Sequence, residues 1–168
     1  MQILETQRLI LRAWQKSEAK RLFEICRDAK VMKHIGKGKP YKTIEDAEKF
    51  LNWAEKYQEK MGFCRWAVTR KPSGEIIGSC GFVRLSETKE IELGYLFERK
   101  FWGQGFATEA AGGCLKYGFE NLGFREIIAL TDLQHTASQN VLEKIGFTKR
   151  GIEIYDKEET LVYSAKYI

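Results

Sequence analysis

The 168-residue chain has only two histidines, His34 and His135, and two prolines. Its four cysteines, Cys26, Cys64, Cys80 and Cys114, form no C-x-x-C pair. Ligands this few and this far apart have no zinc-site spacing, so no metal is expected. The cysteines read as reduced, mostly buried thiols. No run approaches the roughly 20 apolar residues that a membrane helix needs. The first residues carry Glu5, Arg8 and Arg12 and lack a secretory apolar core, so the expected location is cytoplasmic, with no membrane partner. The phosphate loop G-x-x-x-x-G-K-[ST] of nucleotide hydrolases is missing. The dinucleotide fingerprint G-x-G-x-x-G would need glycine where Thr108 stands. Gly78-Ser79-Cys80-Gly81 lacks the G-x-S-x-G elbow of α/β hydrolases, and Ser138 lies too close to His135 in sequence for a hydrolase triad of the usual kind.

What is present is ordinary for a soluble domain: 43% hydrophobic and 30% charged residues, enough for one core and one domain over residues 1–168. The formal charge is +5. A positive balance attracts a polyanionic cofactor, an acidic partner or nucleic acid alike. The basic residues are scattered, and no helix has a basic face with base-reading side chains, so nucleic acid is not the expected partner.

Apolar periodicity gives a coarse element order. Arg8 to Trp14 reads as a first strand. Ser17 caps a helix to about Asp28. A glycine- and lysine-rich loop follows over residues 36–42 and borders a helix that Thr43 and Asp46 start as a capping box, running to Lys60. Phe63 to Arg70 and Glu75 to Leu85 read as strands around the turn Lys71 to Gly74. A third strand begins at Glu90. A long helix spans Ala107 to Phe119. Glu126 to Thr131 is a strand, Thr136 or Ala137 to Ile145 a helix, and Phe147 to Tyr155 and Thr160 to Tyr167 a last pair around Asp156 to Glu159. This is an α/β domain with a mixed central sheet.

The chain is organised around Glu90-Ile-Glu-Leu-Gly-Tyr-Leu-Phe97 and the following Glu98-Arg-Lys-Phe-Trp-Gly-Gln-Gly-Phe-Ala-Thr-Glu109. A strand enters a loop with two glycines two apart, and the loop enters a helix. The glycines let backbone approach a ligand closely. The first N–H groups of the helix have no partner within it and carry partial positive charge. A phosphate or pyrophosphate fits at Gly103, Gln104, Gly105, Phe106, Ala107 and Thr108, with Lys100 close by. Trp102 and Phe106 read as core residues packed on the long helix.

Lys100-x-x-Gly103-x-Gly105 after an apolar strand resembles the acetyl-CoA pyrophosphate loop of the GNAT N-acetyltransferase superfamily. The runs GYLFERKFWGQGFATEAA and TASQNVLEKIGF resemble the branch of ribosomal-protein alanine and serine N-acetyltransferases. The resemblance implies the GNAT fold, a mixed and mostly antiparallel sheet of about seven strands flanked by helices. It implies that the organising strand and the strand after the long helix are parallel and splay apart. The pantetheine arm then lies against backbone near Leu93, Tyr95, Leu96 and Phe97. The implied reaction is acetyl transfer from acetyl-CoA to a primary amine. By branch, the acceptor is a protein N-terminus; a small amine, an antibiotic or a polyamine is the alternative. The oligomeric state stays open between monomer and homodimer. No cysteine is placed as an acyl carrier, so the amine attacks the thioester directly.

That chemistry needs a base for the amine, donors for the oxyanion and a proton for the thiolate. Glu92 is the candidate base, on the strand face opposite Ile91 and Leu93; a plain solvent-facing residue would show the same alternation. Ser138, at a helix start, is the candidate acid, and a simple capping serine is the other use of that position. The family often has a tyrosine where Leu142 stands and an asparagine, bonded to the pantetheine arm, where His135 stands. His135 can donate a similar bond, and Asn140 can substitute for it. The changed positions leave a non-catalytic acyl-CoA-binding protein as a further alternative. Trp53, Tyr57 and Trp66 suit either an acceptor pocket or the core.

Overall fold

A computed structural model describes residues 1–168. Eight strands form one sheet: β1 (Gln2–Glu5), β2 (Leu9–Arg12), β3 (Arg65–Arg70), β4 (Ile76–Arg84), β5 (Ile91–Phe97), β6 (Glu126–Thr131), β7 (Thr148–Tyr155) and β8 (Glu158–Lys166). Helices α1 (Ala19–Cys26), α2 (Ala29–Met32) and α3 (Ile44–Met61) precede β3; α4 (Phe106–Glu120) joins β5 to β6, and α5 (Thr136–Lys144) joins β6 to β7. The spatial order is β1-β2-β3-β4-β5-β6-β8-β7.

The alternation of apolar residues decides which faces are covered. In β2, Leu9 and Leu11 are wholly buried while Ile10 and Arg12 are partly exposed. The larger core joins the sheet to α4, whose buried stripe is Phe106, Ala110, Ala111, Cys114 and Leu115. A second core of nine buried residues packs α1, α2 and α3 onto Ile76 of the opposite face. Both faces of β4 are therefore covered, and it is buried from Ile76 to Phe82.

The sheet has one strand beyond the expected seven. It is β1, four residues long and too short to show a period, held by antiparallel pairing of Leu4 with Leu11. The first helix also starts differently. Residues Lys16–Glu18 form a 3-10 turn in which Glu18 accepts the Gln15 N–H at 2.8 Å, so Glu18 rather than Ser17 closes the end. The Thr43 box is as expected, with Asp46 accepting the N–H groups of Thr43 and Lys42 at 3.2 and 2.8 Å. The last turn is tighter than expected. Asp156 and Lys157 both have positive φ, the two-residue hairpin geometry, so Glu158 and Glu159 belong to β8.

All neighbouring strands are antiparallel except β5 and β6. These two share a single registered pair, Glu92 with Ile128. On its other side, β5 pairs with β4 along its whole length, from Ile91 to Phe97. Beyond Glu92, the β6-facing edge of β5 has no ladder partner, and the sheet opens toward the carboxyl ends of the two strands. Backbone groups left in such a gap need partners of their own.

Candidate active site

The β5–α4 connection builds a cradle of donors. After a 3-10 turn at Arg99–Phe101, Gly103 and Gly105 take φ values of +74° and +80°. That region is open to glycine and costly for most side chains. Gly105 is the N-cap of α4. The backbone N–H groups of Gly103 through Thr108 donate to no group of the protein. Six consecutive donors at the positive end of a 15-residue helix are an arrangement that suits an anion.

The cradle is braced from behind by Arg8, which sequence reading missed. Its guanidinium donates to the Gln104 carbonyl at 3.0 Å and to Glu109 at 2.6 Å, and lies 4.2 Å from the centroid of the Phe106 ring. Glu109 also accepts the Thr6 hydroxyl and the Arg8 N–H. Partial burial pushes the Glu109 carboxyl up, but these bonds outweigh it and hold the group below the ordinary glutamate range. Nothing local could flag Arg8, because its partners lie about a hundred residues away.

Phe106 is buried, as expected. Trp102 corrects an expectation: it is 49% exposed rather than in the core, and its indole N–H donates to the Phe97 carbonyl at the end of β5. The Lys100 ammonium is drawn to Glu75 and Glu98, at 3.6 and 3.9 Å.

The gap between β5 and β6 opens into a cleft lined by Glu92, Leu93, Gly94, Tyr95, Thr131, His135, Ser138 and Leu142. Two sequence candidates, Glu92 and Ser138, thus share one cavity, with His135 beside them. Glu92 is not a free carboxylate: Arg65 of β3 donates to it at 3.0 Å, and both side chains are about four-fifths buried. The Arg65 guanidinium lies against Gly94, where a Cβ would stand 2.3 Å from it. The Arg65 Nε is buried without a partner, as is the Thr131 hydroxyl in the same cleft.

Ser138 is 3.0 Å from the Tyr95 hydroxyl. Burial pushes the Tyr95 phenol up to about 12, so it stays protonated at neutral pH. Leu142 gives the cleft no hydroxyl, yet Tyr95 brings a phenol to Ser138 from the opposite wall. Tyr95 was expected to contribute backbone; its hydroxyl is the feature that sequence reading missed. His135 caps α5 and stacks on His34, ring centroids 4.0 Å apart. Burial, then the nearby His34, hold its pKa below the usual histidine value. Asn140 is exposed and does not line the cleft. Among the aromatic candidates, Trp66 is buried in the core and Trp53 is 40% exposed on α3.

The acetyltransferase (GNAT) domain family matches residues 8–148. The chain belongs to the GNAT acetyltransferase family. It is 36% identical over 152 residues to the uncharacterized N-acetyltransferase YoaA of Bacillus subtilis, covering 89% of this chain and 85% of that one. The crystal structure of a GNAT-family acetyltransferase from Bacillus anthracis superposes with a TM-score of 0.82 at 28% identity, covering 99% and 98% of the two chains. The fold is shared with RimL, a ribosomal alpha-N-protein acetyltransferase in complex with coenzyme A, at a TM-score of 0.84 and 16% identity, over 99% and 98% of the chains.

The protein is an acetyl-CoA-dependent N-acetyltransferase, and the features of this GNAT cleft fit that cosubstrate. The six free N–H groups suit its pyrophosphate. The unpaired edge of β5 over Gly94–Phe97 suits an amide-bearing arm that adds alongside it like a strand. Bound there, the cosubstrate supplies an acetyl thioester. No helix of the GNAT chain is long and apolar enough to cross a membrane.

Proposed function

We propose that this transferase acetylates the α-amine of a protein N-terminus, in the manner that the name of RimL describes for that protein. The observation that carries the reading is the Glu92–Arg65 pair in the cleft. An N-terminus presents an ammonium group and, two atoms away, a peptide carbonyl. Glu92 suits the first. The Arg65 guanidinium, which lines the cleft beside Glu92, suits the second, since a guanidinium has five N–H donors to offer a carbonyl. A simple monoamine offers nothing to Arg65.

In this scheme Glu92 receives a proton from the attacking nitrogen. Ser138, backed by the Tyr95 hydroxyl, returns a proton to the departing sulfur. The donors at Gly103 to Thr108 and the β5 edge hold the cosubstrate, while Glu92, Ser138 and Tyr95 face the reacting end.

The test is an acceptor screen read by mass spectrometry. Peptides with free N-terminal Ala or Ser are compared with N-terminally blocked, lysine-bearing copies and with polyamines. Acetylation confined to the free N-termini supports the reading. Preference for the polyamines transfers the activity to small amines and leaves Arg65 without this role.

A further inference from the structure

The cleft holds a second titratable group that the scheme above does not use. His34 follows α2 and lines the same cavity as Glu92 and Ser138. Its Nδ1 is hydrogen-bonded to the carboxylate of Asp132, which follows β6 on the opposite side of the cleft. A carboxylate only accepts, so Nδ1 carries the proton. In this tautomer the lone pair is on Nε2. This is the arrangement of a carboxylate-oriented base.

The parts are held in place from both sides. The Asp132 carbonyl accepts the His135 N–H at 3.1 Å, and the Gln139 amide bonds the Asp132 and Leu133 carbonyls at 3.3 and 3.1 Å. On the other side, Asp28 caps α2 through the Lys30 N–H and pairs with Arg99 of the cosubstrate loop at 3.0 Å. His34 is thus set by the same elements that frame the acetyl-CoA site.

Two protons leave the nitrogen during acetyl transfer. An ammonium must first become an amine; after the C–N bond forms, the nitrogen sheds a second proton. As the C–S bond breaks, the sulfur takes one back. The other is released. One base with one acid can serve the retained proton, and the released one needs an exit. Building on the N-terminal acetylation reading, we propose that His34, oriented by Asp132, takes the first proton from the acceptor ammonium and passes it to solvent. His34 is then a catalytic residue and Asp132 a positioning residue. The charged and titratable groups around His34 are Asp132 and His135 from the β6–α5 side, Lys33 next to it in sequence, and the Arg65–Glu92 pair across the cavity. His135, kept neutral by burial, offers a stacked ring that does not oppose a charge on His34.

The proposal predicts a pH-selective loss. His34→Gln and Asp132→Asn are assayed against an N-terminal peptide between pH 6 and 9.5, beside the parent and Glu92→Gln. At pH 7 both variants are expected to lose about tenfold in kcat/KM, because only roughly a tenth of an α-amine with pKa about 8 is already neutral there. The gap should close as pH rises past the α-amine pKa of about 8, where the acceptor arrives already neutral. Acetyl-CoA affinity, measured calorimetrically, should stay at the parent value. An equal loss at every pH, or none, overturns the proposal. A readout without turnover accompanies it: imidazole ¹⁵N–¹H correlation spectra should show His34 as the Nδ1–H form, lost in Asp132→Asn. A parent that acetylates no peptide would overturn the N-terminal reading, while an Nε2–H form of His34 would overturn the base on its own.

Discussion

In the proposed scheme Glu92 faces the amine, and in the cleft, where it is about four-fifths buried, it is paired with Arg65 at 3.0 Å. The variant Glu92→Gln keeps shape and one acceptor but removes the charge. We expect kcat to fall about 10²-fold or more with acetyl-CoA affinity unchanged, measured by steady-state kinetics beside calorimetry. An unaltered rate would hand the proton to water or to His34. The Ser138–Tyr95 pair makes a separate prediction. In the proposed scheme Tyr95→Phe leaves Ser138 without its phenol partner, so the chemical step should slow in single-turnover assays while acetyl-CoA still binds; a parent rate would remove the pair from proton delivery to the sulfur. That Glu92 and Ser138 face outward from their elements was legible because strand alternation and helix-start chemistry are local. The contacts of Arg65, His34 and the Tyr95 hydroxyl were not. Each meets a partner 27, 98 or 43 residues away, and no period within an element reports such a contact.

At the scale of elements, the cradle and the β4–β5 ladder can be tested apart. Gly105→Val puts a branched side chain at φ +80°, beside the donors meant for pyrophosphate. Its Cβ would meet only the Arg8 guanidinium at 3.4 Å, so the cost to the fold comes from the positive φ rather than from a clash, and thermal unfolding is measured beside binding. Acetyl-CoA affinity should drop at least about tenfold, or about 1.4 kcal/mol; parent affinity in a calorimetric titration would remove the loop from the site. Gly78→Ala acts on the scaffold instead. The added Cβ would stand 2.2 Å from the Leu96 carbonyl oxygen and 2.8 Å from the Phe97 ring, forcing β4 from β5. Overpacking of this kind costs about 1–3 kcal/mol. Thermal unfolding should show a clear fall in Tm. The elements themselves were mostly legible, because long strands and helices repeat their apolar positions. What was missed was short: β1 with four residues, and a hairpin turn set by backbone angles at Asp156 and Lys157.

For the molecule as a whole, sequence order gives six of the seven strand pairings. The exception is β8, which lies between β6 and β7 and leaves β1 and β7 as the two edges. Ion pairs reinforce that assembly where ladders do not. Arg8 and Glu109 tie the N-terminal strands to the start of α4, and Arg150 of β7 reaches Glu90, just before β5, at 2.6 Å. The Arg150 bonds, against partial burial, hold Glu90 below the ordinary glutamate range, as the Thr6 and Arg8 bonds do for Glu109. A carboxyl whose folded pKa is depressed binds its proton more readily in the unfolded chain. Its contribution is therefore complete above the unfolded value, about 4.3, and is lost as pH falls through the lower folded value. Tm should stay level on the acid side until about pH 4.5 and then decline. Glu109→Gln removes one such group, so its Tm should start lower at pH 7 and its acid limb should be shallower than the parent's. Parallel limbs in a pH series of unfolding scans would show that the clamp between the first strands and α4 contributes nothing to acid stability, leaving the other depressed carboxyls, Glu90, Glu45 and Asp46, to account for the decline.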